Sequence, residues 1–151
     1  MAKPIERTIA IVIPYTKDGK ILLQERKSIS KWGEEWSFWG GGVEKRETKE
    51  AAAKREIREE LEFEIKESEY LGKCKRVLKR IKTPYDDWEL TYEIFATKVK
   101  EDLSQFKVHE GDNMEFVTMQ EARRLVMAPQ IDNETLDLVE KFLRERKIIL
   151  N

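Results

Sequence analysis

The sequence predicts one α/β (α+β) domain spanning residues 1–151. Three observations carry this. Short apolar, β-branched runs alternate irregularly with helical patterns. Asp18-Gly19, set between two such runs, is a hairpin signal. The length, 151 residues, suits one domain with its own core, and no repeat, low-complexity tract or linker divides the chain.

Residues 7–14 are apolar and β-branched and read as a buried strand. Lys17-Asp18-Gly19-Lys20 turns the chain back into a second strand over residues 21–26. Residues 28–35 form a polar loop that holds Trp32. Trp36-Ser37-Phe38-Trp39 is a short aromatic strand running into Gly40-Gly41-Gly42, the densest glycine cluster of the chain. On such a strand Trp36 and Phe38 share one face and Trp39 takes the other. Thr48 is a good N-cap, with Glu50 in the first turn and Ala51-Ala52-Ala53 behind it, so a helix runs to about Leu61. Residues 63–80 and 89–99 read as strands with alternating faces, broken by residues 83–87. Residues 114–118 form a short strand. Residues 119–126 and 133–146 read as helices, the second with Leu136, Val139 and Leu143 at helical spacing.

Charged residues make up 39% of the chain, against about 25% in typical domains. The 29 Lys and Arg nearly cancel the 30 Asp and Glu, which argues against a strongly basic nucleic-acid binder and an acidic disordered tail. Such density is also the proteome-level mark of hyperthermophiles, so a heat-stable protein is expected. The longest apolar run, Ile9-Ala10-Ile11-Val12-Ile13, is far short of the roughly 20 residues of a membrane span. The first residues lack the apolar core of a signal peptide, so a soluble, cytoplasmic protein is expected. Cys74 is the one cysteine and His109 the one histidine, which leaves no disulfide framework and no histidine pair for a metal. Hydrolytic chemistry here must rest on carboxylates.

The informative stretch is residues 40–63. At about 100° per residue, Glu56, Glu59 and Glu60 fall on one helix face, beside an apolar stripe of Ala53, Ile57 and Leu61. Three carboxylates at the edge of a core call for compensation, and a hard divalent cation such as Mg2+ supplies it through oxygen ligands. The preceding glycines allow a carbonyl to face a metal or an amide to approach a phosphate. The alternative is a solvated glutamate face, common in a chain this rich in charge.

The spacing Gly41-x5-Glu47-x7-Arg55-Glu56-Ile57-x-Glu59-Glu60 resembles the Nudix box, Gx5Ex7REUxEExGU, where U is bulky and aliphatic. The box would occupy residues 41–63. The resemblance implies an α/β/α sandwich around a mixed β-sheet, and hydrolysis of a nucleoside diphosphate linked to another moiety with Mg2+ or Mn2+. It implies that Glu56, Glu59 and Glu60 bind metal, with the Gly40 carbonyl as a further ligand. It implies that Glu47 and Arg55 brace the loop, opened by Gly41, against the helix. Glu56 is the favoured general base and Glu59 the second. Glu110 and Glu115 are candidates for an extra base or ligand, with a solvated surface as the alternative. Arg26 is similar to arginines that contact substrate phosphates, and Trp32 or Trp36 could stack on a base, unless they serve the core. The family glycine near the end of the box is Glu62 here. That glycine resembles a left-handed helix cap, where a Glu would cost roughly 1 kcal/mol.

Coenzyme A, ADP-ribose and diadenosine signatures are missing, the latter two positions being Leu78 and Arg80-Ile81. This leans toward a MutT-like hydrolase of a (d)NTP or oxidised (d)NTP. Dinucleoside polyphosphates, nucleoside diphosphate sugars, an RNA end and a non-catalytic nucleotide-binding fold are the alternatives. The cluster of Lys73, Lys75, Arg76, Lys79, Arg80 and Lys82 is the one feature that suits RNA. The expected partners are a nucleotide and, for a homodimer, a second copy of the chain, with no membrane and no nucleic acid.

Overall fold

The first apolar run becomes the strand to which the rest of the sheet is referred. Strand β1 (Ile5–Tyr15) pairs in parallel with β6 (Trp88–Lys98), from Ile5↔Trp88 to Tyr15↔Lys98. On its other side β1 pairs antiparallel with β4 (Trp39–Gly42) through Ile9↔Gly42 to Val12↔Trp39. At its end it meets β2 (Ile21–Glu25), at Tyr15↔Ile21. The sheet therefore forks: β2 carries β3 (Trp36–Ser37) and β7 (Asn113–Val117), while β5 (Glu69–Leu78) closes on β6. Among the described residues this gives a mixed seven-stranded sheet. The computed structural model describes residues 5–26, 28, 35–78, 87–108, 113–125 and 132–148.

Alternation along β1 separates two core clusters. Ile11, Ile13 and Tyr15 pack with residues of α2 (Met119–Ala122) and α3 (Asp132–Glu145), including Met119, Leu136, Val139 and Leu143. Ala10 and Val12 pack with Ala52, Ala53, Ile57 and Leu61 of α1 (Lys49–Leu61). Helices thus cover both faces, the expected α/β/α arrangement. The aromatic strand divides as expected too: Trp36 and Phe38 join the first cluster and Trp39 the second. The buried Trp39 indole satisfies its N–H by donating to the Leu22 carbonyl at 3.0 Å. No helix among the described residues is long and apolar enough to cross a membrane.

Helix α1 starts where the capping chemistry places it. The Thr48 hydroxyl accepts the Ala51 N–H at 3.1 Å, and Glu50 lies in the first turn. It ends at Glu62, which adopts the left-handed conformation (φ 52°) and donates its N–H to the Arg58 carbonyl. A non-glycine residue therefore occupies the cap that glycine fills without strain.

The strands β1, β6 and β7 lie within two residues of their expected bounds, and other elements differ in more than their ends or by a small shift. The strand expected from residue 63 begins at Glu69. Glu62 turns the chain, and Phe63 and Ile65 instead pack beside the helix end in the α1 cluster, where Phe63 meets Phe106 at 5.1 Å. Their period-two spacing reflects burial at that corner, not pairing. The helix expected over 119–126 is a four-residue α2, closed by a Thr118–Glu121 capping box and followed by turns to Leu125. Helix α3 starts and ends one residue earlier than its spacing suggested.

Relief of the backbone strain at Glu62 is directly measurable. Glu62→Gly should raise stability by about 1 kcal/mol, a melting shift of roughly 2–4 °C for a chain of this size. Glu62→Ala, which keeps the Cβ, should not; equal shifts for both would show that φ is not the cause.

Candidate active site

The glycine-rich strand and the carboxylate face of α1 meet through absent side chains. A Cβ on Gly41 would lie 2.5 Å from the Glu56 carboxylate, so only glycine lets that carboxylate rest on the strand. Gly40 (φ 144°) leaves no room for a Cβ either, which would lie 2.0 Å from the Ala10 carbonyl oxygen. Its N–H donates to Glu60 Oε1 at 3.3 Å. Glu60 is buried, at 7% exposure, while the Glu59 side chain is 58% exposed. The three glutamates do share one flank of α1, from the sheet edge outward.

Arg55 ties this edge together. Its Nε and Nη2 donate to the two oxygens of Glu47 at 2.8 and 2.9 Å, a bidentate pair. Nη2 also donates to the Gly42 carbonyl at 2.9 Å. Nη1 donates to Glu56 at 2.8 Å and to Glu59 at 3.3 Å. Glu47 in turn accepts the Glu44 N–H at 3.0 Å, across a turn in which Arg46 is left-handed (φ 69°). The Arg55 guanidinium, followed by the Glu44 N–H, holds the Glu47 carboxyl down at about 2. Glu47 in the same way pushes Arg55 further up, so the guanidinium stays charged at every working pH.

Among the described residues, no three acidic, Cys or His groups converge into a ready cage for an ion. A hard divalent cation does not need one, because Mg2+ keeps waters and takes one or two carboxylates together with substrate phosphate. The donors on this flank are oxygens only, and the buried Glu60 carboxylate calls for positive charge. The residues present fit the group.

Other expected residues fall in different places. Arg26 follows β2, donates its backbone N–H to the Glu35 carbonyl, and is held through Nη1 by Gln24 Oε1 at 2.8 Å. Trp36 is 9% exposed within the α3-side cluster, so it serves the core rather than offering a face for base stacking. Glu115 pairs with Leu23 and shares the face of Val117, which packs on the α3 side. It is thus on the opposite side of β7 from Met114 and Phe116, which pack with α1, and is not brought to Glu56. Trp32, His109 and Glu110 lie outside the described residues, as do Lys79, Arg80 and Lys82. Arg76, also in the basic cluster, pairs with Glu134 of α3 at 3.1 Å.

Three features were not read from the sequence. Gly42 serves Arg55 with its carbonyl and also lies under the Arg7 guanidinium, which a Cβ there would meet at 2.5 Å. Arg7 lines a cavity of about 330 Å³ with Lys75, Arg76 and Leu90, at the start of β1. The buried Glu93 binds Lys49 Nζ at 3.1 Å and the Tyr70 hydroxyl at 3.1 Å, pinning the first residue of α1 to the sheet. Glu93 was legible as a charge inside the apolar run of β6; the other two had no local signal.

Comparison with known proteins gives a consistent picture. The chain matches the NUDIX domain family over residues 5–140. It is 42% identical over 74 residues to the CTP pyrophosphohydrolase of Escherichia coli (strain K12). That segment is 49% of this chain and spans about half, 53%, of the curated relative's length. Its fold is similar to that of the MutT protein from Methanosarcina mazei Go1, with TM-score 0.70 and 19% identity over 95% of this chain and 97% of that one. It is also similar to the E. coli ORF135 protein, with TM-score 0.63 and 27% identity over 95% and 92%.

Two consequences of the clamp are measurable. Arg55→Ala leaves Glu47 and Glu56 without their shared cation and should destabilise the fold by roughly 2 kcal/mol in denaturant titration. The second concerns acid. A carboxyl depressed in the folded state stabilises it above its unfolded value of 4.5, and that contribution is lost as pH falls from 4.5 toward about 2. Glu47→Gln should therefore flatten stability against pH in that window; an unchanged slope would show that the pair carries no linkage.

Proposed function

Because the chain belongs to the NUDIX domain family, we propose that it is a divalent-metal-dependent pyrophosphohydrolase of nucleoside triphosphates. The observation that carries this is the carboxylate flank of α1, clamped by Arg55 against Gly40–Gly42. The similarity to a protein named for CTP supports a cytidine nucleotide as the first substrate to test, with oxidised nucleotides beside it. The cavity beside Arg7 has the size of a small-ligand site and suits the part of the substrate remote from the cut.

Glu56, Glu59 and Glu60 would hold Mg2+ or Mn2+, with the Gly40 carbonyl beside them. A bound divalent ion supplies positive charge at the phosphate oxygens and makes water more acidic. Glu56 takes the proton of the attacking water, whose oxygen bonds to phosphorus as the bridging P–O bond breaks; the products are the nucleoside monophosphate and pyrophosphate. A general base must be held within hydrogen-bonding reach and in a fixed direction. Arg55 fixes Glu56 at 2.8 Å and Gly41 gives its carboxylate a place on the strand. Glu59, held more loosely at 3.3 Å and more exposed, is the second candidate.

A panel of CTP, dCTP, the other nucleoside triphosphates and 8-oxo-dGTP with Mg2+ or Mn2+ tests the function by pyrophosphate release. Glu56→Gln should lower kcat by about 10²–10⁴, and Gly41→Ala, which displaces the Glu56 carboxylate, should also lower it. No cleavage of any nucleotide, or full turnover in both Glu56→Gln and Glu59→Gln, would sink the proposal.

A further inference from the structure

Two side chains of α1, seven residues apart in sequence, reach the sheet in one row. Ala10 of β1 pairs with Gly41 on one side and with Glu93 on the other. Paired residues point to the same face, so Gly41, Ala10 and Glu93 all look toward α1. At one end of the row Glu93 Oε2 takes Lys49, the first residue of the helix, at 3.1 Å. At the other end the Glu56 carboxylate rests on Gly41, where a Cβ would lie 2.5 Å from it. Ala52 and Ala53, between Lys49 and Glu56, share a core cluster with Ala10. The two spans match. Seven residues of helix rise about 10.5 Å and stop about 20° short of two full turns, which returns Glu56 to the face of Lys49. Two inter-strand spacings, from β6 across β1 to β4, come to about 9.6 Å. The helix is thus laid across the strands along this row, with one contact at each end.

Glu93 is 7% exposed, and its other oxygen, Oε1, accepts the Tyr70 hydroxyl at 3.1 Å. Lys49 Nζ lies 3.8 Å from the centroid of the Tyr70 ring, so the ammonium too is held from two sides. A buried carboxylate is costly, and an apolar pair of similar volume often serves stability as well. Stability alone therefore does not call for this pair. An apolar contact tolerates sliding, whereas a charged hydrogen bond fixes both distance and direction. We propose that Lys49 and Glu93 are positioning residues for Glu56: their pair fixes where α1 lies along the row, so that the Glu56 carboxylate lands on Gly41. Arg55 sets the direction of that carboxylate, and Lys49–Glu93 sets the place of the helix that carries it. The inference rests on the pyrophosphohydrolase reading for the task of Glu56. A reacting group misplaced by about 1 Å can lose roughly 10²-fold in rate, so a contact two turns away matters.

The test reads variants below their melting transitions in two ways: calorimetric binding of Mn2+ alone, and KM and kcat for the best-cleaved nucleotide. Lys49→Met and Glu93→Gln should each weaken Mn2+ binding about three- to tenfold, the worth of one hydrogen bond. They should lower kcat by roughly 10- to 100-fold, with KM changed less. Lys49→Arg, which keeps the cation, should recover most of both losses. Tyr70→Phe, which leaves the ion pair in place, should give a smaller change in the same direction, and it carries the test if the other two variants do not fold. In a Glu56→Gln background Lys49→Met should leave Mn2+ binding unchanged, because the carboxylate it positions is gone. Unaltered Mn2+ affinity in the folded variants, no recovery with arginine, or an equal loss in the Glu56→Gln background would each overturn the proposal and leave the pair a purely structural one. Mn2+ binding needs no turnover, so a chain that hydrolyses no nucleotide sinks the preceding section while the coupling of Lys49 to Glu56 is still decided.

Discussion

One guanidinium sets the local architecture of the candidate site. Glu56, Glu59 and Glu60 stand at a spacing where like charges repel, next to Glu47 and Glu44 on the loop. Arg55 reaches Glu47, Glu56, Glu59 and the Gly42 carbonyl at once. It therefore joins the loop, the strand and the helix, and a lysine could not do so, because it lacks the planar fork. Its partners in Glu47 and Glu56 are only 15% exposed at the side chain, so these bonds are screened less than ordinary surface pairs.

The clamp depends on how closely the helix approaches the sheet. Strand β4 can accept α1 because Gly40 and Gly41 have no side chains where the Ala10 backbone and the Glu56 carboxylate lie. At the other end of the helix, Glu93 holds Lys49 from the neighbouring strand β6. Lys49 also lies 3.8 Å above the Tyr70 ring, so this end is fixed by both charge and an aromatic face. Helix α1 is thus fastened at its start by a buried carboxylate and along its acidic flank by Arg55. Between them Ala52, Ala53, Ile57 and Leu61 supply the apolar contact.

The high charge of the chain divides into two populations. One is the connected set around Arg55. The other consists of separate pairs such as Lys20–Glu101, Arg58–Glu64 and Arg123–Asp137, which lie at the surface. Pairs of this second kind contribute little singly at ordinary temperature, typically about 0–1 kcal/mol. Near neutrality overall, the molecule is acidic along one flank of α1, and there Arg55 joins the loop, the strand and the helix.

Much of this was legible in the sequence because it is local. The hairpin at Asp18-Gly19, the Thr48 cap, the glycine run and the 3.6-residue spacing of Glu56, Glu59 and Glu60 each arise from residues within a few positions of one another. Glu47 and Arg55 could be paired through the motif, and the strain at Glu62 through the glycine it replaces. Tertiary structure decided what depends on partners far along the chain. It placed Trp36 in a core layer and turned Glu115 to the α3 side, since the pairing register of a strand chooses its faces. It turned Phe63 and Ile65 into corner packing, because a left-handed cap redirects the chain before a strand can begin. It brought Arg7 to Gly42 across neighbouring strands, and Lys49 of α1 to Glu93 of β6. Local spacing determined which groups this protein carries; the fork in the sheet and the register of its strands decided which of them meet.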